Sequence, residues 1–431
     1  RNLATSQSRN FAISQLRNFA TSQLRNLATS QPRNLATSQS RNLAISLTSL
    51  LIFSVFPLDN IPEWIIIIGV TCYQVIIADA QNNNKKRRNE MLKFGIIGAG
   101  RLGNVHAGNI AQLKTLAGID AQVAAVYDPK ESAAKDMHEK YGAVICSGPE
   151  ELAGIPELDA VVIASPTYCH QEGIRAAVAA DKHIFCEKPL CRDLTNSLEM
   201  LELVKKSKKF FAIGFVRRAM AKTKKCKELL DSGLIGRIRF CNVDLPLGMY
   251  RREYGDWFTD FDKCGGVIVD MLAHHVDLAN WFFGKPERVY ADGMLLDPAQ
   301  KEPSDMVDGI ITYKNGVICN MFCTWQRFGR SNELMEIYGE KGCLSLSGAE
   351  TIAYCPLGGE KQEIAVDAAA DAGIGVEEVK VASGYTQEII DFAHNILGRK
   401  VELPGVQDGF NSIEIALGMI ESVKTRQVYK F

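Results

Sequence analysis

Asp270 and His274 stand four residues apart in Gly265-Gly266-Val267-Ile268-Val269-Asp270-Met271-Leu272-Ala273-His274-His275-Val276-Asp277, which passes from a glycine turn into a helical pattern reaching Phe283. That spacing puts a carboxylate and an imidazole on one helical face, where the acid can hold the ring in one tautomer and raise its basicity. Asp277, three residues further on, can also reach the ring. The plainer reading is an acid complementing the helix dipole, and His275 reads as a packing or surface residue rather than a ligand. Far upstream, Lys188 follows an apolar run and precedes Pro189, so an ammonium is expected at the carboxyl end of a strand, unless it is only a solvated surface lysine. A base, an acid that orients it and a cation are the parts needed to take the proton from a secondary alcohol and to steady the developing alkoxide. The hydride that leaves with it needs a cofactor.

A site for that cofactor is written at the start of the same region. Leu92–Ile97 reads as a buried strand and runs into Gly98-Ala99-Gly100-Arg101-Leu102-Gly103, followed by a helical pattern near Asn104. In such a G-x-G-x-x-G turn the first glycine allows the tight bend, the second leaves room for a pyrophosphate, and the third lets helix pack on strand. The helix N-terminus then offers free N–H groups to the phosphates. Gly98, Gly100, Arg101, Leu102 and Gly103 are therefore candidate cofactor contacts. A second strand, Gln122–Tyr127, ends at Asp128. An acid there can accept from both ribose hydroxyls and repels the extra phosphate of NADP, which favours NAD over NADP; the alternative is a solvated turn residue. The alternation continues through strand Asp159–Ala164, helix Glu172–Ala180, strand His183–Cys186 and helix Asn196–Lys206, the pattern of a doubly wound parallel sheet. Ligands lie beyond the carboxyl ends of such strands, which singles out Ser165-Pro166-Thr167 and Glu187-Lys188-Pro189.

Together these residues resemble the Gfo/Idh/MocA oxidoreductases, which include glucose-fructose oxidoreductase and inositol dehydrogenases. The resemblance runs from Met91 to the C-terminus. It rests on the glycine turn, Ser165-Pro166-Thr167 with His170, Glu187-Lys188-Pro189, Gly214-Phe215 with Arg217-Arg218, the Asp270 and His274 helix, and Asp408-Gly409. Gly103 to His106 and Glu336 to Gly342 are most similar to myo-inositol 2-dehydrogenase-like members. The resemblance implies that Lys188 orients the substrate hydroxyl, Asp270 polarises the histidine and His274 takes the hydroxyl proton. It also implies that Ser165, Pro166, Thr167, His170, Glu187 and Lys188 line the cofactor, and that Pro189 often follows a cis bond. Leu272 and Val216 depart from the small and polar residues usual at their positions, which bears on substrate fit.

From about Gly214 the pattern changes to long alternating segments, Arg237–Asp244, Arg288–Met294, Gly309–Tyr313, Val317–Trp325 and Leu334–Tyr338, as in an open, mainly antiparallel sheet. Cys319, Met321, Cys323 and Trp325 share one strand face and read as core or subunit contact. Asp244, Tyr250, Trp257 and Asp308 are second-rank candidates to line a sugar pocket, because polyols are held by carboxylates and aromatic faces. The expected fold is thus α/β: an N-terminal Rossmann domain over 91–213, then a substrate-binding and oligomerisation α/β domain over 214–431.

Positions 1–90 read differently. They hold six copies of an eight-residue arginine-led unit, two apolar stretches and no methionine, with ten basic and four acidic groups. A period of eight suits neither helix nor strand, and an export-signal reading at Ala78-Asp79-Ala80 lies too far from the N-terminus. This segment is expected to be translated upstream sequence, with the working protein starting at Met91. Over the whole chain 49 basic groups face 50 acidic ones, so there is no bulk charge of the kind that binds nucleic acid. Twelve cysteines without a C-x-x-C pair point to buried free thiols in a reduced, cytoplasmic setting and give no metal site. The expectation is an NAD-dependent dehydrogenase acting on a cyclitol or sugar, as a homodimer or homotetramer, with no membrane or nucleic-acid partner. A family member with another sugar substrate, and a non-catalytic NAD-sensing protein, are the alternatives.

Overall fold

Six short apolar runs, Leu92–Ile97 (β1), Ala121–Tyr127 (β2), Val144–Ile145 (β3), Ala160–Ile163 (β4), His183–Glu187 (β5) and Phe211–Gly214 (β6), pair in parallel in the order β3-β2-β1-β4-β5-β6. Helices Arg101–Ala111 (α1), Glu131–Tyr141 (α2), His170–Ala179 (α3) and Leu194–Lys206 (α4) alternate with them. β4 is buried at every position, as the continuous apolar character of a strand covered on both faces requires. The strand order reverses between β1 and β4, which opens a crevice at their carboxyl ends. The computed structural model describes residues 91–246, 257, 260–296, 304–326, 333–347, 351–366 and 384–431. The expectations for residues 1–90, for Tyr250 and for most of the loop at 366–378 fall outside them.

A second sheet of nine strands follows. After helix Ala221–Asp231 (α5) come Ile238–Leu245 (β7), helix Ala273–Phe283 (α6), Pro286–Met294 (β8), Met306–Tyr313 (β9), Ile318–Thr324 (β10), Leu334–Gly339 (β11), Gly342–Ser345 (β12), Thr351–Pro356 (β13) and Gln362–Ala365 (β14), closed by Tyr429–Lys430 (β15). Their order is β14-β13-β12-β11-β7-β10-β9-β8-β15, and β7 with β10 is the parallel pair in an otherwise antiparallel ladder. Alternation sorts its residues by face. Cys241, Val243, Cys319, Met321 and Cys323 point into a core shared with Ile268, Leu272 and Val276 from the helical layer. The opposite face leaves Phe240, Tyr290, Ile310, Ile318 and Tyr338 exposed.

The expected division at 213/214 is crossed by two late helices, Gly384–Ile396 (α7) and Val406–Thr425 (α8). Ile389, Phe392 and Ala393 of α7 pack in the first core with Phe94 and Phe185. α8 sends Phe410 against the other face of the parallel sheet and Ile413, Ala416 and Met419 into the second core. An amphipathic pattern declares a buried face without saying which sheet buries it, so this return was not legible. The eleven described cysteines are all free thiols, eight of them buried. No helix among the described residues is long and apolar enough to cross a membrane.

Candidate active site

The glycine turn shows why each glycine stands where it does. Gly98 has φ of +95°, and a Cβ there would lie 2.6 Å from the Ser165 amide nitrogen. At Gly103 a Cβ would collide with the Gly98 carbonyl, so this residue lets α1 press on the turn. At Gly100 a Cβ would meet nothing within 4 Å, which leaves the space before the turn open. Gly100 is also the N-cap of α1, with no side-chain cap and no acid in the first turn. Unfilled space beside free N–H groups fits a dinucleotide's phosphates. Arg101 is exposed and Leu102 half-buried in the first turn of α1.

Asp128 closes the loop. Its Oδ2 accepts from the Ala99 N–H at 2.7 Å and its Oδ1 from the Lys130 N–H at 2.8 Å, which ties the glycine turn to the end of β2. Each carboxylate oxygen keeps lone-pair capacity for a ribose hydroxyl. Beyond β4, Ser165 and Pro166 are half-buried and Thr167 is buried. His170 is buried, with Nδ1 2.8 Å from the Pro189 carbonyl and Nε2 2.9 Å from the Ser165 carbonyl. It clamps two strand-end turns together instead of presenting its ring to a ligand. Glu187 likewise turns inward: it is buried, and its Oε1 lies 2.7 Å from His106 Nε2.

Lys188 follows at the edge of β5, joined to Pro189 by a cis peptide bond. Its Nζ donates to the Asp270 carbonyl at 2.7 Å and to Asp270 Oδ1 at 3.1 Å. The ammonium of the first sheet therefore meets the carboxylate of the second half, with the side chains 13% and 21% exposed. The expected bond from Asp270 to His274 is not formed, for a local reason. Residues Ile268–Leu272 form a π-turn, in which hydrogen bonds run i to i+5 and the residue at i+4 leaves the shared face. Asp270 serves the lysine instead.

His274 stands in the first turn of α6, partly exposed, with the ring of Phe215 6.3 Å away at 73°. Its Nδ1 is buried and has no partner, so the accessible side of the ring is that of Nε2. Burial, reinforced by the charges of Lys188, Arg217 and His275, pushes this imidazole well below its usual range. The anticipated rise in basicity is reversed, because the acid that would have caused it is paired elsewhere. A neutral ring can still accept a proton at Nε2 in the tautomer that carries its hydrogen on the buried Nδ1, which is the costlier tautomer while Nδ1 has no acceptor.

Asp277 also turns away from His274. Arg218 donates to its two oxygens at 2.7 and 2.5 Å and reaches Asp408 at 2.9 Å. His275 is fully buried, with Nε2 2.8 Å from Glu333 Oε1, and Arg217 pairs with the same oxygen. Burial opposes ionisation of Glu333, yet His275 and Arg217 hold its carboxyl down at about 2. Each of these acids lies 58 to 190 residues from its partner, so no local spacing signals the pairing. Of the sugar-pocket candidates, Trp257 is half-buried with its ring 6.5 Å from that of Tyr168 in the turn after β4. Asp244 and Asp308 are a correction. Both lie on the sheet face opposite Cys241, Val243 and Met321, against which the π-turn packs, so strand alternation keeps them from Lys188 and His274.

Comparison with known proteins agrees with this fold. A family profile described as "Oxidoreductase family, NAD-binding Rossmann fold" matches residues 92–215, and one for the GFO/IDH/MocA C-terminal domain matches 223–345. The chain is 31% identical over 257 residues to myo-inositol 2-dehydrogenase of Thermotoga maritima, covering 58% of this chain and 74% of that one. It is 26% identical over 339 residues to inositol 2-dehydrogenase of Acidothermus cellulolyticus, covering 78% and 93%. Among solved structures, levoglucosan dehydrogenase in complex with NADH and levoglucosan superposes with a TM-score of 0.70 at 22% identity, over 79% of this chain and 99% of that one. The WlbA dehydrogenase of Bordetella pertussis, with NADH and UDP-GlcNAcA, gives 0.67 at 20% identity, again over 79% and 99%.

Proposed function

This chain belongs to the GFO/IDH/MocA family of NAD-binding oxidoreductases, and on that premise we propose that it oxidises a secondary hydroxyl of a neutral cyclitol or sugar. The carrying observation is the Lys188 ammonium on Asp270 one turn before the open side of His274. NAD, when bound, accepts the hydride. The residues do the rest: Lys188 holds the substrate oxygen and offsets its developing charge, and His274 Nε2 accepts the hydroxyl proton. Asp270 fixes the lysine. Its backbone and side-chain oxygens leave the ammonium one further N–H for the substrate.

Charge supports a neutral substrate. Around this centre Lys188 is matched by Asp270, and Arg217 by Glu333, so neither cation is reserved for a substrate carboxylate. We further propose that the exposed face bearing Phe240, Tyr290, Ile310, Ile318 and Tyr338 joins a second copy of this chain, as an apolar patch of this kind favours.

The test is NAD reduction over a panel of cyclitols, neutral sugars and uronic acids, with NADH binding followed by fluorescence. Turnover of a neutral cyclitol or sugar, lowered about 10²-fold or more in kcat by His274→Ala, is the expected result. Tight NADH binding with no turnover of any polyol would leave the NAD-sensing reading instead.

A further inference from the structure

Directly behind Lys188 lies a group of ionisable side chains that the proposed reaction does not touch. Glu187, the last residue of β5, is 3% exposed; Glu388 on α7 is 2% exposed and His106 on α1 is 0% exposed. Their ligating atoms all lie within 4.8 Å of one another. Glu187 is held at both oxygens, Oε1 by His106 Nε2 at 2.7 Å and Oε2 by the backbone N–H of Lys188 at 3.2 Å. Glu388 Oε1 and His106 Nδ1 have no partner. The rings of Phe185 and Tyr385 close over His106 at 5.1 and 6.0 Å. A Cβ at Gly214 would lie 3.0 Å from Glu187 Oε2, so glycine there makes room for this carboxylate.

We propose that Glu187 and Glu388 are a buried carboxyl pair holding one proton between them, and that this pair, locked to His106, is the positioning element that fixes the backbone of Lys188. The positioning half rests on the dehydrogenase reading above; the shared proton does not.

Two carboxylates within 4.8 Å of one another in a dry interior repel strongly when both are ionised, and one proton on the pair removes that repulsion. Glu187 meets a donor at each oxygen whereas Glu388 Oε1 meets none, which assigns the proton to Glu388; burial, Glu187 and Asp391 push its carboxyl the same way, far above its usual range. Glu187 then stays an acceptor for two donors, His106 Nε2–H and the Lys188 N–H. The orphan Nδ1 is then a lone pair and not a stranded N–H, the less costly of the two. A metal ion fits worse. Ligand atoms each about 2.0–2.2 Å from one tetrahedral ion stand about 3.3–3.6 Å apart, whereas His106 Nε2 and Glu187 Oε1 are 2.7 Å apart in a direct hydrogen bond. Through this pair the phosphate-side helix α1, the lysine-bearing strand β5 and the returning helix α7 are tied at one point.

The test pairs infrared spectroscopy with variants of the full chain. At pH 8 the protein shows the carbonyl stretch of a protonated carboxyl, sensitive to D2O, and Glu388→Gln removes it. Gln is a fair copy of a protonated acid and a poor copy of a carboxylate that faces two donors. Glu388→Ala therefore loses about tenfold or more in kcat and Glu388→Gln regains most of it, whereas Glu187→Gln stays about tenfold or more down, with NADH affinity within about threefold. No such band in the unaltered protein, a stoichiometric metal by elemental analysis, or equal tolerance of Gln at both positions would overturn the proposal. If no polyol is oxidised at all, the infrared result still decides the pair.

Discussion

Replacing Lys188 by Met keeps the length of the side chain and removes its charge. Two hydrogen bonds disappear, to the Asp270 carbonyl at 2.7 Å and to Oδ1 at 3.1 Å. The carboxylate of Asp270, 21% exposed, then stands uncompensated beside the place where alkoxide charge develops. Losing one preorganised donor to such a charge costs about 2.7–4 kcal/mol, or roughly 10²–10³ in kcat, and the freed carboxylate adds repulsion, so the upper end is expected. The effect on folding is much smaller, about 1 kcal/mol, because the pair is part-exposed and solvent takes over part of its role. A second consequence has a definite sign. Lys188 is one of the cations that resist protonation of His274, so its removal lets the imidazole protonate more readily and moves the acid limb of the kcat profile to higher pH. The assay is kcat and KM for NAD reduction with the preferred polyol across pH 5 to 9, with NADH fluorescence titration as the control. A variant that keeps kcat within about threefold of the parent, or whose acid limb moves to lower pH, refutes the reasoning.

Asp270→Asn is expected to lower kcat about 10- to 100-fold through the lysine while leaving the acid limb of His274 in place; a fall in that limb would restore the Asp270 to His274 coupling read from the sequence. Asp128→Asn drops the charge and keeps one carbonyl acceptor for the Ala99 or the Lys130 N–H, not both, so the NAD over NADP preference in kcat/KM should shrink by about tenfold; an unchanged ratio removes the discriminating role of this acid. His170, His274 and His275 all have imidazoles depressed by burial. Above the unfolded value of about 6.5 neither state binds the extra protons, and below it the unfolded chain takes protons that the folded chain refuses. The buried carboxyls of Glu388 and Asp277, both raised, act with the opposite sign, but the three histidines outnumber them, so thermal stability should fall from pH 7 to 5, each group counting about 1.4 kcal/mol per pH unit passed, and a Tm that rises over that range contradicts the burial argument. Ile310→Lys places a charge in the exposed sheet face, where Ile310 is 46% exposed, and should shift the oligomer toward monomer by light scattering without altering the far-UV spectrum.

What the sequence determined by itself is what short-range physics writes. The G-x-G-x-x-G turn, the strands β1, β2, β4 and β5, the inward face of Cys319, Met321 and Cys323, and Lys188 at a strand's carboxyl edge depend on periodicity and backbone sterics within a few residues, whereas β3 and β6 were not legible in the sequence. Tertiary structure decided the partners of charged groups. Asp270 and Asp277 each lay within helical reach of His274, yet one is held by Lys188, 82 residues away, and the other by Arg218, 59 residues away. Glu187 looked like a cofactor contact because it ends a strand, and His170 through the family resemblance, but burial turned both inward, the one to His106 and the other to carbonyls. A spacing rule assumes a regular helix, and the π-turn at Ile268–Leu272 removed that assumption. Ion pairs form between groups that the packing of apolar faces brings together, and the docking of α6 beside β5, like the return of α7 to the first sheet, is set by cores assembled from the whole chain.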